Sequence, residues 1–196
     1  INADDPSDVD YSKYGIKDAL LIDNTGIVSD EKGLSAHLKN KEIKKVLLTA
    51  PVKGGLKNIV YGVNHDDIQD TDKIIGAASC TTNAIVPVLS AIDNEFKIDN
   101  GHVETVHAYT NDQNLIDNYH SKNRRGRAAA LNMVLTETGA ASAVSQVLPN
   151  LEGKISANAI RVPTPNVSLA ILKLYLEKPS ELEKFNEFLK QTAFHS

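Results

Sequence analysis

Short apolar runs at residues 19–22, 46–49, 58–63 and 74–75 punctuate the first eighty positions, with polar stretches between them. This alternation restricts the fold more than any other feature. Residues 19–22 (Ala-Leu-Leu-Ile) read as a short buried strand, and Asp30 is placed to cap a helix running through Leu34 and Leu38. Residues 46–49 (Val-Leu-Leu-Thr) read as a second strand, broken by Pro51. Strands alternating with helices argue for a doubly wound sheet, in which ligands bind outside the carboxyl ends of the strands. Thr25-Gly26 and Thr49-Ala50-Pro51 lie at two such ends; spacing alone reads them equally well as ordinary turns.

Beyond residue 80 the pattern changes. Residues 102–109 and 154–162 read as strands, and 167–176 as a third, long one. Its two faces are both largely apolar, Ala170, Leu172, Leu174 and Leu176 on one and Val167, Leu169 and Ile171 on the other. Both must be covered. Helices such as 140–148 are expected over one face and a second subunit over the other. A last helix is predicted from Ser180, with Ser180 and Glu183 as a capping box and Leu182, Phe185 and Leu189 as its buried stripe. The boundary between the two regions is expected near Ser79.

The chain has one cysteine among 196 residues, which excludes an internal disulfide and suits a reducing compartment. No run of about 18 apolar residues is present to span a bilayer. The opening Ile-Asn-Ala-Asp-Asp-Pro is acidic and polar where a signal peptide is basic and then apolar, so a cytoplasmic address is expected. A net charge of −4 does not attract nucleic acid, and the basic cluster at residues 122–127 reads as a solvated loop. No metal site is expected.

That single cysteine, Cys80, falls at a loop-to-helix junction. The stretch 76–79 (Gly-Ala-Ala-Ser) is turn-like, and apolar Ile85, Val88, Leu89 and Ile92 then mark one helical face. Unpaired backbone N–H groups and the dipole at a helix start favour negative charge, which biases a thiol there toward the nucleophilic thiolate. Thr81, Thr82 and Asn83 add small polar side chains around the sulfur. A lone cysteine is otherwise most often a small buried hydrophobe, and a lone histidine such as His107, at the end of the 102–109 strand, a satisfied core residue. No Gly-x-Gly-x-x-Gly turn follows a strand, although a complete dinucleotide-binding domain carries one in its first unit. With its opening on a loop at residues 4–8, the chain reads as an internal piece of a longer protein.

Five segments decide between these readings: 78–83 (Ala-Ser-Cys-Thr-Thr-Asn), 107–113 (His-Ala-Tyr-Thr-Asn-Asp-Gln), 124–130 (Arg-Arg-Gly-Arg-Ala-Ala-Ala), 138–141 (Thr-Gly-Ala-Ala) and 161–167 (Arg-Val-Pro-Thr-Pro-Asn-Val). In order and approximate spacing they closely resemble glyceraldehyde-3-phosphate dehydrogenase, and the likeness runs from about Thr25 to the last helix. The resemblance implies an α/β fold: a partial Rossmann-type doubly wound sheet over residues 1–79, then an α+β catalytic domain with a mostly antiparallel sheet over 80–196. The family's opening Rossmann half and its C-terminal end have no counterpart here. Two departures stand out. Ala84 replaces a second cysteine common in the family, and residues 135–137 (Leu-Thr-Glu) stand where Pro-Ser-Ser is frequent, beside a phosphate-binding threonine.

The resemblance also implies roles. The family oxidises an aldehyde through a thiohemiacetal on cysteine, passes hydride to a nicotinamide cofactor and releases the acyl group onto inorganic phosphate. Cys80 matches the nucleophile and His107 its general base. Thr110 and Arg161 match the pocket for the sugar phosphate of glyceraldehyde 3-phosphate. Ser79, Thr81, Thr138 and Gly139 match the one for the attacking phosphate, with Arg125 a loop arginine beside it. Thr25, Thr49 and Asn111 match cofactor-facing positions, the cofactor being NAD or NADP, and the family assembles as a homo-tetramer. Two other readings stay open: an erythrose-4-phosphate dehydrogenase, and a non-catalytic piece that acts only in subunit association.

Overall fold

The structure, a computed structural model, describes residues 5–136 and 138–195. Strand β1 (Ala19–Asp23) leads through a one-turn helix, α1 (Glu31–Leu34), to β2 (Ile43–Leu48) and then to the short β3 (Ile74–Gly76). The three strands are parallel in the order β1-β2-β3, with Leu21 beside Val46 and Val46 beside Ile74. Leu34, Ile43, Val46, Leu48, Val52 and Ile74 form the core of this part, and Leu21, Val28 and Leu38 pack against it. Leu20 and Ile22 alternate to the other face of β1 and stay more than half exposed.

Two local expectations are corrected here. Asp30 does cap a helix, its carboxylate accepting from the Gly33 N–H at 2.8 Å, but that helix ends after one turn and a 3-10 turn (His37–Lys39) follows. Gly33 weakens that helix, since glycine is a weak helix former, and the close approach of Val28, 2.7 Å from where a Cβ would stand, leaves no room for a side chain there. The apolar run 58–63 is not a strand. Asn58 makes one parallel bridge to Gly76 and the chain then turns, burying Val60.

Helix α2 (Cys80–Phe96) comes next, followed by β4 (Ile98–Ala108), β5 (Val134–Thr136), α3 (Ala140–Val147), β6 (Ile155–Val162), β7 (Ser168–Leu176) and α4 (Leu182–His195). Two compact units divide the chain at Pro87/Val88, inside α2. The buried stripe of α2 is Ile85, Val86, Leu89, Ile92 and Phe96; Val88, expected on it, is 37% exposed, because the stripe drifts toward Val86 along the helix. In the second unit the sheet order is β5-β6-β4-β7. β4 runs parallel to β6, while β4/β7 and β5/β6 are antiparallel, so the sheet is mostly antiparallel. Gly101 lets β7 close on β4: a Cβ there would lie 2.7 Å from Leu174 Cδ2 and 2.8 Å from the Lys173 carbonyl.

α3 packs against β6 rather than over β7. β7 is an edge strand with Leu169 58% and Tyr175 70% exposed. α4 begins at Leu182, two residues later than expected. Ser180 therefore lies outside it and donates its hydroxyl to the Glu181 carbonyl, and the capping box is not formed. Leu182, the first helical residue, is 68% exposed, and the packing passes to Phe185 and Phe188, whose rings sit 5.3 and 5.1 Å from that of Phe96.

Candidate active site

In the first unit the carboxyl ends of the parallel strands place Thr25 just after β1, Thr49 just after β2 and the loop to Cys80 just after β3. Asp23 ends β1 and is buried. Its Oδ1 accepts the Thr25 N–H and hydroxyl, both at 2.8 Å, and Oδ2 faces His37 Nε2 at 3.4 Å. Burial works against the charged form, but the Thr25 and His37 hydrogen bonds outweigh it and hold the carboxyl below its ordinary value. The Asp23 carbonyl accepts from the Thr49 N–H at 2.9 Å and from its hydroxyl at 3.3 Å. Both threonines are exposed, so this edge offers uncharged hydroxyl and methyl surface. Uncharged acceptor oxygens and methyl groups fit a nicotinamide carboxamide or a ribose better than a phosphate.

The Ala77 N–H is tied to the Leu48 carbonyl at 2.9 Å, and Ala78 then adopts a left-handed backbone at φ 58° that turns the chain into α2. Ser79 is the cap. Its hydroxyl accepts the Thr82 N–H at 3.0 Å and meets the Thr82 hydroxyl at 2.7 Å, while Asn83 Nδ2 donates to the Ala77 and Ser79 carbonyls. Cys80 is therefore the first residue of a capped 17-residue helix, and it is exposed. Thr81 follows it, half-buried.

In the second unit, parallel pairing of β4 and β6 sets His107 beside Arg161. An Arg161 NH1 group lies 2.8 Å from His107 Nδ1 and donates to the Ala108 carbonyl at 2.9 Å; Nδ1 is itself 2.7 Å from that carbonyl. Thr110 and Asn111 follow β4 on an exposed turn, where the Thr110 hydroxyl accepts the Asp112 N–H at 3.4 Å.

Arg125, Thr138 and Gly139 line one cavity of about 690 Å³, together with Lys122, Arg124 and Thr136. Three cationic side chains and the start of α3 make it a suitable place for an anion. Arg125 is buried, donates from Nε to the Thr136 hydroxyl at 3.1 Å and pairs with the Asp112 carboxylate. The Thr138 hydroxyl accepts the Ala140 N–H at 3.2 Å, opening α3.

The family described as "Glyceraldehyde 3-phosphate dehydrogenase, C-terminal domain" matches residues 79–196, a span that takes in Ser79, Cys80, His107 and Arg161. The chain belongs to the glyceraldehyde-3-phosphate dehydrogenase family. It is 63% identical, over all 196 residues, to a glyceraldehyde-3-phosphate dehydrogenase-like protein of Pseudomonas aeruginosa, covering 42% of that protein. It is 45% identical over 188 residues to the chloroplastic glyceraldehyde-3-phosphate dehydrogenase A of Zea mays, with 96% of this chain and 46% of that one aligned. For the glyceraldehyde-3-phosphate dehydrogenase of Zymomonas mobilis the identity is 43% over 190 residues, covering 96% of this chain and 56% of the relative. The chain thus spans about half the length of these relatives.

Asp23, His37, Asp112 and Thr136 were not singled out by sequence reasoning, yet Asp23, Asp112 and Thr136 each hold a proposed site residue in place and His37 holds Asp23. Asp23 had a readable signal, a carboxylate ending an apolar strand two residues before Thr25. The others act across 11 to 14 residues of chain, and no local pattern marks them. Among the described residues no helix is long and apolar enough to cross a membrane.

Proposed function

We propose that this chain carries the reacting half of a phosphorylating glyceraldehyde-3-phosphate dehydrogenase, a cytoplasmic enzyme that converts glyceraldehyde 3-phosphate and inorganic phosphate to 1,3-bisphosphoglycerate with NAD or NADP. The observation that carries the reading is Cys80, exposed as the first residue of a capped helix and inside the family match.

In this reading the Cys80 sulfur attacks the aldehyde carbon and His107 takes the thiol proton, leaving the oxyanion of a thiohemiacetal on Cys80. His107 Nδ1 faces both the Ala108 carbonyl and an Arg161 NH1 group. In the tautomer that donates Nδ1–H to that carbonyl, the Nε2 lone pair is left to act as the base. A dinucleotide, when bound, would supply the hydride acceptor. Loss of hydride from the substrate carbon leaves an acyl thioester on Cys80. Backbone N–H groups at the start of α2 face the negative charge that develops on the oxygen. A phosphate oxygen then attacks the acyl carbon, the carbon–sulfur bond breaks, and the thiolate leaves. Thr110 and Arg161 hold the sugar phosphate. Ser79, Thr81, Thr138 and Gly139, with Arg125, hold the attacking one. Thr25, Thr49 and Asn111 face the cofactor.

Assembly is part of the proposal: a homo-oligomer, tetrameric by family. Exposed Leu169 and Tyr175 on β7, and Leu115, Ile116, Leu131 and Met133 in the segment after β4, support a second copy as the partner. The test of the chemistry is acid quenching of the full-length protein mixed with glyceraldehyde 3-phosphate and dinucleotide but no phosphate. A mass increase equal to the acyl group on the Cys80 peptide is expected. A peptide of unchanged mass, or an adduct elsewhere, overturns the assignment. Comparing kcat/KM for glyceraldehyde 3-phosphate and erythrose 4-phosphate then fixes the aldehyde.

A further inference from the structure

One residue holds both threonines of the proposed cofactor edge. The Asp23 carboxylate fixes Thr25 through its N–H and its hydroxyl, and the Asp23 carbonyl fixes Thr49 through the same two groups. Asp23 is 4% exposed, so the bracket lies under the surface that a ligand would touch. Behind it stands His37, whose Nε2 faces Oδ2 at 3.4 Å and whose Nδ1 has no hydrogen-bond partner among the described residues. The hydrogen bond that the imidazole makes is thus the one to the Asp23 carboxylate.

The hydrogen-bond inventory also says what the edge recognises. The Thr25 hydroxyl gives its hydrogen to Asp23 and accepts the Ile27 N–H at 3.2 Å, and the Thr49 hydroxyl gives its hydrogen to the Asp23 carbonyl. Both hydroxyl hydrogens are committed inside the protein, so lone pairs and methyl groups in fixed places are what remain for a ligand. Such a surface accepts from a carboxamide N–H or a ribose hydroxyl and gives nothing to a phosphate oxygen.

Resting on the cofactor reading above, we propose that Asp23 is a positioning residue for the nicotinamide dinucleotide. It sets Thr25 and Thr49 as acceptors toward the carboxamide or ribose end, and His37 holds the carboxylate that does so.

The test uses the full-length protein, Asp23→Ala, Asp23→Asn and the double variant Asp23→Leu/His37→Phe. Binding of NADH and NADPH is read by fluorescence titration without aldehyde, and KM for the oxidised dinucleotide and kcat are then measured at steady state. Asp23→Ala is expected to weaken binding about tenfold or more, the scale of one or two lost hydrogen bonds. KM should rise in step, with kcat at saturating dinucleotide within about twofold of the unmutated value. Asn keeps an acceptor for Thr25 and should restore binding to within about threefold. The double variant replaces a buried polar pair with apolar groups of similar shape, a change that folds tolerate, and covers the case in which Asp23→Ala does not fold; it should lose binding as Ala does. A folded variant without the carboxylate that binds as tightly as the unmutated protein overturns the proposal. Failure of the unmutated protein to bind either dinucleotide overturns the cofactor reading itself, and this role with it.

Discussion

At the scale of single residues, polar side chains are held by partners distant in the chain, and Asp23 is the clearest case. Its carboxyl titrates below the ordinary value because the Thr25 and His37 hydrogen bonds outweigh the burial that opposes its charge. An unfolded aspartate titrates near ~3.9. The stabilisation from Asp23 is thus fully present above that pH and is lost as pH falls through the lower native value. Urea midpoints measured from pH 7 down to pH 3 should show a steeper acid decline for the unmutated protein than for Asp23→Asn. Parallel declines would mean that the carboxylate is not held as described. Cys80, His107 and Arg161 were singled out because each sits in a short string of distinctive residues. The Arg161 guanidinium against His107 was not, because it depends on β4 and β6 lying side by side in parallel, which no local string encodes.

Among the elements, strands and helices were legible where apolar periodicity was strong. β1, β3, β6, β7, α2 and α3 fall within a few residues of the expected spans, since burial of alternating or 3.6-spaced side chains decides them. The misses have local causes. Gly33 weakens α1, which ends after one turn, and a two-residue shift in the start of α4 moves its packing from Leu182 to Phe188. Apolar Val60 is buried by a turn instead of a strand. The sheet of the second unit depends on a close approach at Gly101, where β7 and Ile155 leave no room for a methyl group. Gly101→Ala is expected to destabilise the protein by about 1–3 kcal/mol, through overpacking against Leu174 and the Lys173 backbone. Equilibrium urea unfolding monitors this directly. An unchanged midpoint would show that β7 is free to shift away from β4.

For the whole molecule, the proposed reading draws on family membership and on features that each unit holds by itself. There is a thiol at a helix start, a histidine beside an arginine, and a cavity lined by Lys122, Arg124 and Arg125. The central claim is that acyl transfer from Cys80 to inorganic phosphate completes the cycle. The most direct measurement is steady-state reduction of NAD and NADP by the full-length protein with glyceraldehyde 3-phosphate, with and without phosphate, beside Cys80→Ser. The account predicts sustained turnover that requires phosphate, a burst of no more than about one equivalent without it, and no turnover in Cys80→Ser. Sustained turnover without phosphate, or turnover that survives loss of the thiol, would contradict it.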